Sequence, residues 1–234
     1  MLKYISMSLA AAGIVLISGC GSVIGEDPKI KVDPIDVPDD VRQNEDNATY
    51  LQAVRDARSE DHDCGYYKTD SNGDKMTDKD GNYITIHEGR NEDFRPAIKD
   101  DKLRWNEKLY KAAYEHNIDM LSMGKDVDHT GSGGASDRTA QNNHPGTPST
   151  FEERVLANGY QYAKIYENLT AGTDIDTAEK AVKKWIDSAG HCKNLMNPDV
   201  IDMGMSHVKK DESHYTNYWT IELAKPAAEE KGIY

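Results

Sequence analysis

Apolar and polar positions repeat with the period of an amphipathic helix in the middle of the chain. Six side chains follow one another at steps of 4, 3, 1, 3 and 4 residues, which places them on one helical face. They are Trp105, Leu109, Ala112, Ala113, His116 and Met120. We expect this face to pack against the core, with His116 as a buried histidine that forms hydrogen bonds.

The same periodicity predicts two shorter helices. Residues 49–58 form the first, with Leu51 and Val54 directed inward. Residues 176–189 form the second, which opens with an Asp-Thr-Ala-Glu capping pattern and carries apolar residues at helical spacing. Gly190 is the expected end of this helix, because glycine commonly follows the last helical turn.

Turn signals and alternation predict further elements. A Thr-Phe-Glu-Glu sequence at 150–153 resembles a capping box, and it opens a short helix that ends at the Asn-Gly pair at 158–159. Two strands are predicted near the C-terminus, at 201–208 and 217–224. Helices interspersed with few strands indicate an α+β protein or an α-β-α sandwich.

Residues 66–100 are dense in Asp, Asn and Gly. Alternation after an Asp-Gly turn predicts a short hairpin, which we interpret as an insertion in the domain. Calcium binding is the alternative interpretation of the acidic turns. An EF-hand loop needs glycine at position 6 and glutamate at position 12, and no starting point in this segment gives both. Solvated turns are therefore favoured.

The N-terminus has the layout of an export signal. Lys3 is followed by an apolar run of roughly 15 residues, which is short for a membrane-spanning helix. The sequence Ile-Ser-Gly-Cys at 17–20 resembles a bacterial lipobox, which predicts cleavage before Cys20 and lipid on its thiol. A plain signal peptide with a chance cysteine is the alternative. We expect a signal peptide at 1–19 and an acidic, proline-containing tether at 20–46.

The formal net charge of −13 limits the possible partners. It argues against nucleic acid, because phosphate binding needs clustered Lys and Arg. It also argues against direct electrostatic attachment to anionic lipid. With Cys20 lipidated, two cysteines remain, and an oxidising envelope favours a disulfide between Cys64 and Cys192.

Five short motifs occur in order: Leu-Arg-Trp-Asn at 103–106, Asp-His-Thr-Gly at 128–131, Glu-Asn-Leu-Thr-Ala-Gly at 167–172, Ser-Ala-Gly-His-Cys at 188–192 and Tyr-Trp-Thr at 218–220. Together they resemble the CAP superfamily (cysteine-rich secretory, antigen 5 and pathogenesis-related proteins, with an SCP-like domain) in its bacterial lipoprotein form. The resemblance implies an α-β-α sandwich with an antiparallel sheet of about three strands flanked by helices. It implies a domain at 47–228, followed by a tail at 229–234, and it supports the Cys64–Cys192 disulfide.

The resemblance also implies a shallow cleft lined by two histidines and acidic residues. His129 matches the first cleft histidine, Glu167 the acid of the Glu-Asn motif, and His191 the histidine of the bacterial Ser-x-Gly-His motif. Other family members carry a second glutamate where this chain has Ser188. The fourth cleft position is therefore open, and either Asp187 or Glu222 can supply a carboxylate.

Three kinds of chemistry are open to this set of residues. His129 and His191 can bind a divalent transition metal such as zinc, although nothing in the pattern requires a cofactor. The histidines can act as general acid and base, because imidazole titrates near neutral pH. The three side chains can also bond to one another and fix loops. No serine or cysteine stands out as an activated nucleophile, because Cys192 is committed to the disulfide.

For function, the resemblance implies a binding module anchored in the cell envelope, with a lipid-like ligand or a protein partner. A non-enzymatic role is favoured because no nucleophile is evident and the second glutamate is missing. The alternative is a metal-assisted hydrolase, either a peptidase or an enzyme active on cell-wall material. The lipid on Cys20 attaches the chain to a membrane, and Gly21 at the next position favours the outer membrane in a Gram-negative cell.

Overall fold

The computed structural model describes residues 22–23, 35, 45–79, 81–124 and 127–227. Four sequence predictions concern residues outside this part of the chain: the signal peptide at 1–19, the lipidation site Cys20, most of the tether at 20–46 and the tail at 229–234. No helix in the described part combines the length and the apolar character that a membrane crossing requires.

The described residues form six helices and nine strands. The helices are α1 (Asn47–Arg58), α2 (Glu107–Met123), α3 (Arg138–Asn143), α4 (Phe151–Ala157), α5 (Ala178–Ile186) and α6 (Ala189–Leu195). The strands are β1 (Ser22–Val23), β2 (His62–Asp63), β3 (Tyr66–Tyr67), β4 (Thr85–Ile86), β5 (Phe94–Arg95), β6 (Arg104–Trp105), β7 (Tyr162–Gly172), β8 (Asp202–Lys209) and β9 (Asn217–Pro226).

The main sheet has the strand order β1-β7-β9-β8-β6. Its three long strands are antiparallel neighbours, with β9 in the centre. The two-residue strand β1 pairs antiparallel with β7, and β6 pairs parallel with β8. The strands β8 and β9 were predicted from alternation, whereas β7 was not predicted, although its aromatic and β-branched residues favour a strand.

Helices cover both faces of the sheet, which confirms the predicted α-β-α sandwich. Helices α1 and α5 pack on one face around Trp185 and Trp219, which are both fully buried. Helices α2 and α4 pack on the other face around Leu109, Val155 and Ile165. The strand β9 serves both layers, because successive side chains along a strand point to opposite faces.

Two predicted helix boundaries are wrong. Trp105 belongs to β6 rather than to α2, because α2 begins at Glu107 after the N-cap Asn106, whose side chain accepts from the Lys108 amide. Gly190 does not end α5, which stops at Ile186; the glycine lies in the first turn of α6. The absence of a side chain there has a packing reason, since a Cβ atom would lie 2.6 Å from the Tyr67 hydroxyl.

The predicted capping box at the start of α4 is confirmed. The Thr150 hydroxyl accepts from the Glu153 amide, and the Glu153 carboxylate accepts from the Thr150 amide. His207, for which the sequence suggests no partner and hence a surface position, is buried and stacks on Trp219, with ring centroids 3.9 Å apart.

Residues 66–86 form a compact unit that we call the insertion hairpin. The strands β3 and β4 pair antiparallel, and isolated bridges join Thr69 to Lys75 and Thr77 to Tyr83. The Asp70 carboxylate accepts backbone N–H groups of its own turn, from Asn72 and Asp74. The Asp70 side chain thus stabilises the turn that follows it, as expected for a solvated turn.

The predicted disulfide is present. Cys64 and Cys192 are bonded, with their Cα atoms 5.4 Å apart, and both are fully buried. The bond joins the segment that leads into the insertion hairpin to helix α6, across 128 residues of sequence.

Candidate functional site

Glu167 lies at the centre of the site, on the face of β7 that is covered by α2 and α4. Its Oε1 accepts a hydrogen bond from Nδ1 of His129 at 2.9 Å, and its Oε2 accepts one from the Arg154 guanidinium at 2.9 Å. Arg154 also donates to the backbone carbonyl of His129 at 2.9 Å. The three residues therefore form a closed set of contacts, in which Glu167 and Arg154 are almost completely buried.

The charges in this set stabilise one another. Burial alone would raise the pKa of Glu167, but Arg154 and the nearby histidines hold it far below its usual value. Burial alone would lower the pKa of His129, but its hydrogen bond to the Glu167 carboxylate outweighs that effect and the net shift is upward. An ionised Glu167 thus holds a histidine that protonates readily.

His116 holds the backbone next to His129. It is fully buried on α2, as predicted, and its Nε2–H donates to the backbone carbonyl of Asp128 at 2.8 Å. Burial, with a further contribution from Arg154, lowers the pKa of His116 to about 4. The imidazole is therefore neutral at neutral pH, and it fixes the residue that directly precedes His129.

The loop between α2 and α4 is held by two buried aspartates. Asp119 accepts from the Ser132 backbone N–H and hydroxyl and from the Ser136 hydroxyl, at 2.5 to 2.7 Å. Asp137 accepts from three backbone N–H groups, those of Gly133, Ala140 and Ser149. Because each carboxylate satisfies several donors, the loop that begins at His129 is fixed without an apolar core of its own.

His191 reaches the site from the opposite face of the sheet, on α6. Its ring centroid lies 6.4 Å from that of His129, and the two planes are inclined at 62°. The His191 backbone carbonyl accepts from the Asn168 side chain at 3.0 Å, and Asn168 accepts in turn from Asn194. Asn168 thus joins β7 to α6. Burial, together with the neighbouring His129, lowers the pKa of His191 to about 3.

Glu222, and not Asp187, is the second carboxyl group near the centre. It is the direct cross-strand partner of Glu167, so both side chains project from the same face of the sheet. Among the described residues, neither carboxyl oxygen of Glu222 has a hydrogen-bond partner. Burial and the adjacent Glu167 charge raise its pKa well above the usual value. Asp187 instead forms an exposed ion pair with Lys183.

The structure thus brings together His129, Glu167 and His191, the three predicted cleft residues, and adds Arg154. No sequence motif singled out this arginine. The available signal was a basic residue inside a short capped helix, next to the buried Val155. A guanidinium is well suited to this position, because it remains charged when buried and donates several hydrogen bonds.

The donor set is too small for a resident catalytic zinc ion. Such sites usually combine three protein ligands with an open position. The described residues contain no group of three or more His, Cys, Asp or Glu side chains that could hold a metal. Glu167 is engaged by Arg154, which leaves the imidazoles of His129 and His191 as the remaining pair.

Comparisons with known proteins identify a family. The model of the CAP, cysteine-rich secretory protein family matches residues 90–223, which is more than half of the chain. The insertion hairpin precedes the matched segment. No curated protein matches the chain.

Several solved structures are similar. An extracellular protein with an SCP domain from Bacillus anthracis is 22% identical, with a TM-score of 0.38; the match covers 53% of this chain and 33% of that protein. This chain therefore spans about a third of its length. An outer surface protein from Borrelia burgdorferi is 19% identical, with a TM-score of 0.39, and the match covers 53% of this chain and 78% of that one. A third protein, solved with Zn²⁺, is 12% identical, with 81% and 84% covered and a TM-score of 0.40.

Proposed function

Since the chain belongs to the CAP, or cysteine-rich secretory protein, family, we propose that it is a non-enzymatic binding module displayed on the cell envelope. The lipid on Cys20 anchors it, and a lipid-like ligand or a protein partner contacts the cleft between His129 and His191. The outer membrane is the expected location in a Gram-negative cell. This assignment rests on the lipobox resemblance and on the residue that follows it.

One observation carries the non-enzymatic assignment: the ionised carboxylate in the site is already neutralised. Glu167 accepts from both Arg154 and His129 and is fully enclosed, so it has no free position from which to accept a substrate proton. Glu222 is also buried, and its raised pKa favours the neutral acid. Neither carboxyl group is thus placed as a free base for a substrate.

Other expected signs of nucleophilic catalysis are missing from the described residues. Cys192 is bonded to Cys64. The Ser188 hydroxyl lies 3.3 Å from the Tyr67 hydroxyl, and among the described residues it forms no hydrogen bond with an imidazole. A nucleophile needs a base within hydrogen-bond reach, and neither residue has that arrangement.

The competing function is a metal-assisted hydrolase that acts on peptides or cell-wall material. The contact between Glu167 and Nδ1 of His129 favours it, because carboxylates orient metal-binding histidines in this way. The shortage of a third ligand weighs against it.

Turnover and capture assays separate the two functions. The full-length chain, its His129→Ala and His191→Ala variants and a His214→Ala control are assayed on peptides and on peptidoglycan, with and without added Zn²⁺. We expect no turnover from any of them. In a lipid and protein capture screen, we expect the control to bind like the wild type and both cleft variants to bind less. Zinc-dependent turnover that is lost in both cleft variants would establish the hydrolase instead.

Anchoring has its own experiment. Cys20→Ser should abolish incorporation of labelled palmitate and move the chain out of the membrane fraction. A palmitate-free chain that still fractionates with the membrane would contradict the anchor, whatever the cleft binds.

A further inference from the structure

Helix α6, which carries His191, does not cap its own N-terminus. The Ser188 side chain at the N-cap makes no capping hydrogen bond. Two residues of the insertion hairpin take its place: the Thr85 hydroxyl accepts from the Ala189 amide at 3.1 Å, and the Tyr67 hydroxyl accepts from the Gly190 amide at 3.0 Å. The hairpin therefore caps the N-terminus of α6.

Two further links join residues that flank the hairpin to α6. The disulfide connects Cys64 to Cys192, and the Lys193 ammonium contacts the buried Asp93 carboxylate at 2.8 Å. The attachments follow one another along the helix. The insertion hairpin and its flanking residues thus hold the helix that carries His191.

The insertion hairpin carries an aromatic and cationic cluster. The rings of Tyr67 and Tyr83 lie 5.2 Å apart, and the Lys75 ammonium lies 4.4 Å and 4.9 Å from their centroids. Contact with both rings restricts the lysine side chain without neutralising its charge. Lys75 is exposed and has no carboxylate partner among the described residues, and Tyr83 is 53% exposed.

We propose that the junction of the insertion hairpin with the His129–His191 cleft binds an anionic group, a phosphate or a carboxylate, through the Lys75 ammonium. The proposal rests on the binding function proposed above and names the chemistry that the ligand presents. Tyr83 lies beside Lys75, with the ammonium 4.9 Å from its ring centroid.

Electrostatics supports this choice of ligand. The Lys75 charge is one of the causes that lower the pKa of His191, so its field reaches the cleft. In a chain with a net charge of −13, Lys75 lies over the Tyr67 ring, whose hydroxyl contacts the residue before His191, so its charge is a local reversal of sign next to that histidine. Tyr83 and Phe94 are the large exposed hydrophobic side chains of the described part. Two separate side chains form little apolar surface for an acyl chain, so the charged group of a ligand is the better match.

Calorimetric titration of the full-length chain with inorganic phosphate tests the proposal. We expect saturable binding that Lys75→Gln weakens about fivefold, the range of a charge-assisted contact at an exposed site. Lys68→Gln removes the same charge from another exposed lysine of the hairpin and should change affinity less than twofold. The histidine NMR resonances of the wild type should show the largest shift at His191.

Soluble headgroup analogues identify the source of the anion. Tighter binding of glycerophosphoglycerol than of phosphate, with no binding of zwitterionic glycerophosphocholine, would assign a lipid headgroup. Equal or weaker binding would assign a free anion, and both results support the anion site. Tyr83→Ala should weaken either ligand, whereas Phe94→Ala on β5 should not.

Two results would overturn the proposal: no saturable binding of any anionic probe, or equal losses in Lys75→Gln and Lys68→Gln. Neither affects the binding function, which the capture screen with the His129 and His191 variants judges separately. Conversely, zinc-dependent turnover would remove the binding function while the phosphate titration still reports on Lys75.

Discussion

The two histidines of the cleft are held by different chemistry. His191 lies on a short helix fixed from outside, by a disulfide, an ion pair and two hydroxyl caps from the insertion hairpin. His129 opens a loop fixed from inside, by buried carboxylates, Arg154 and the neutral His116. The His191 side therefore depends on oxidation. Acid should act on both sides, because burial lowers the pKa values of both His116 and His191.

Breaking the disulfide should have the largest effect. Replacing Cys64 and Cys192 by serine releases a constraint across 128 residues, and the free energy of unfolding should fall by about 5 kcal/mol on the chain-entropy model. Urea unfolding measures the loss. Histidine NMR should show broadening at His191 and not at His129. A reductant should reproduce the loss in the wild type and leave the double variant unchanged; equal broadening of both histidines would contradict the comparison.

Arg154→Met should act on the His129 side. It leaves the Glu167 carboxylate buried without its strongest partner, and loss of one member of a buried pair lowers stability by about 4 kcal/mol. Denaturant unfolding should also show that adding Glu167→Gln restores part of the loss, because the uncompensated charge is then gone. Additive losses in the double variant would show that the pair is not coupled.

Acid should weaken the contact between His116 and the loop that begins at His129. The folded-state pKa of His116 is about 4, below its ordinary 6.5, so the unfolded chain binds the proton first and stability falls as pH decreases. Between pH 6.5 and 4.5 we expect a loss of about 2 kcal/mol from this group. His191 acts in the same direction, and His129, whose pKa is raised, has its full stabilising effect below pH 6.5.

The measurement is the free energy of unfolding at several pH values. His116→Gln should flatten the slope across this window, whereas His214→Ala on the surface should leave it as in the wild type. A slope that is unchanged in His116→Gln would rule out this histidine as its source.

Tyr67→Phe should have the smallest effect. It removes the hydroxyl that accepts from the Gly190 amide, which should lower the free energy of unfolding by about 1 kcal/mol. Hydrogen exchange should become faster at that amide, with no change near His129. Tyr83→Phe is the matched control, and similar exchange rates in both variants would argue against the external cap.

Local patterns predicted the elements whose signals are contained in a few neighbouring residues. The capping box at Thr150, the buried face of α2 and the strand β9 are cases of this kind. The prediction from Gly190 was wrong because this residue is small for another reason. It packs against Tyr67, more than a hundred residues earlier in the chain. A contact of that kind leaves no local signal.

The residues of the site also differ in how far the sequence predicts them. His129, Glu167 and His191 were predicted because they lie in motifs that resemble those of the family. Arg154 and Glu222 were harder to place, since their roles arise from burial and from the register between β7 and β9. The hairpin residues that cap α6 have no local sequence signal, because they lie more than a hundred residues from the helix.

The order of the strands has a consequence for how the protein is made. The strands β7 and β8 do not touch; each is joined to the other only through β9, which is the last of the three to be synthesised. A chain truncated before Asn217 lacks this strand, and β7, which carries Glu167, then has no strand that connects it to β8. The three long strands can therefore join only when the C-terminal segment is present.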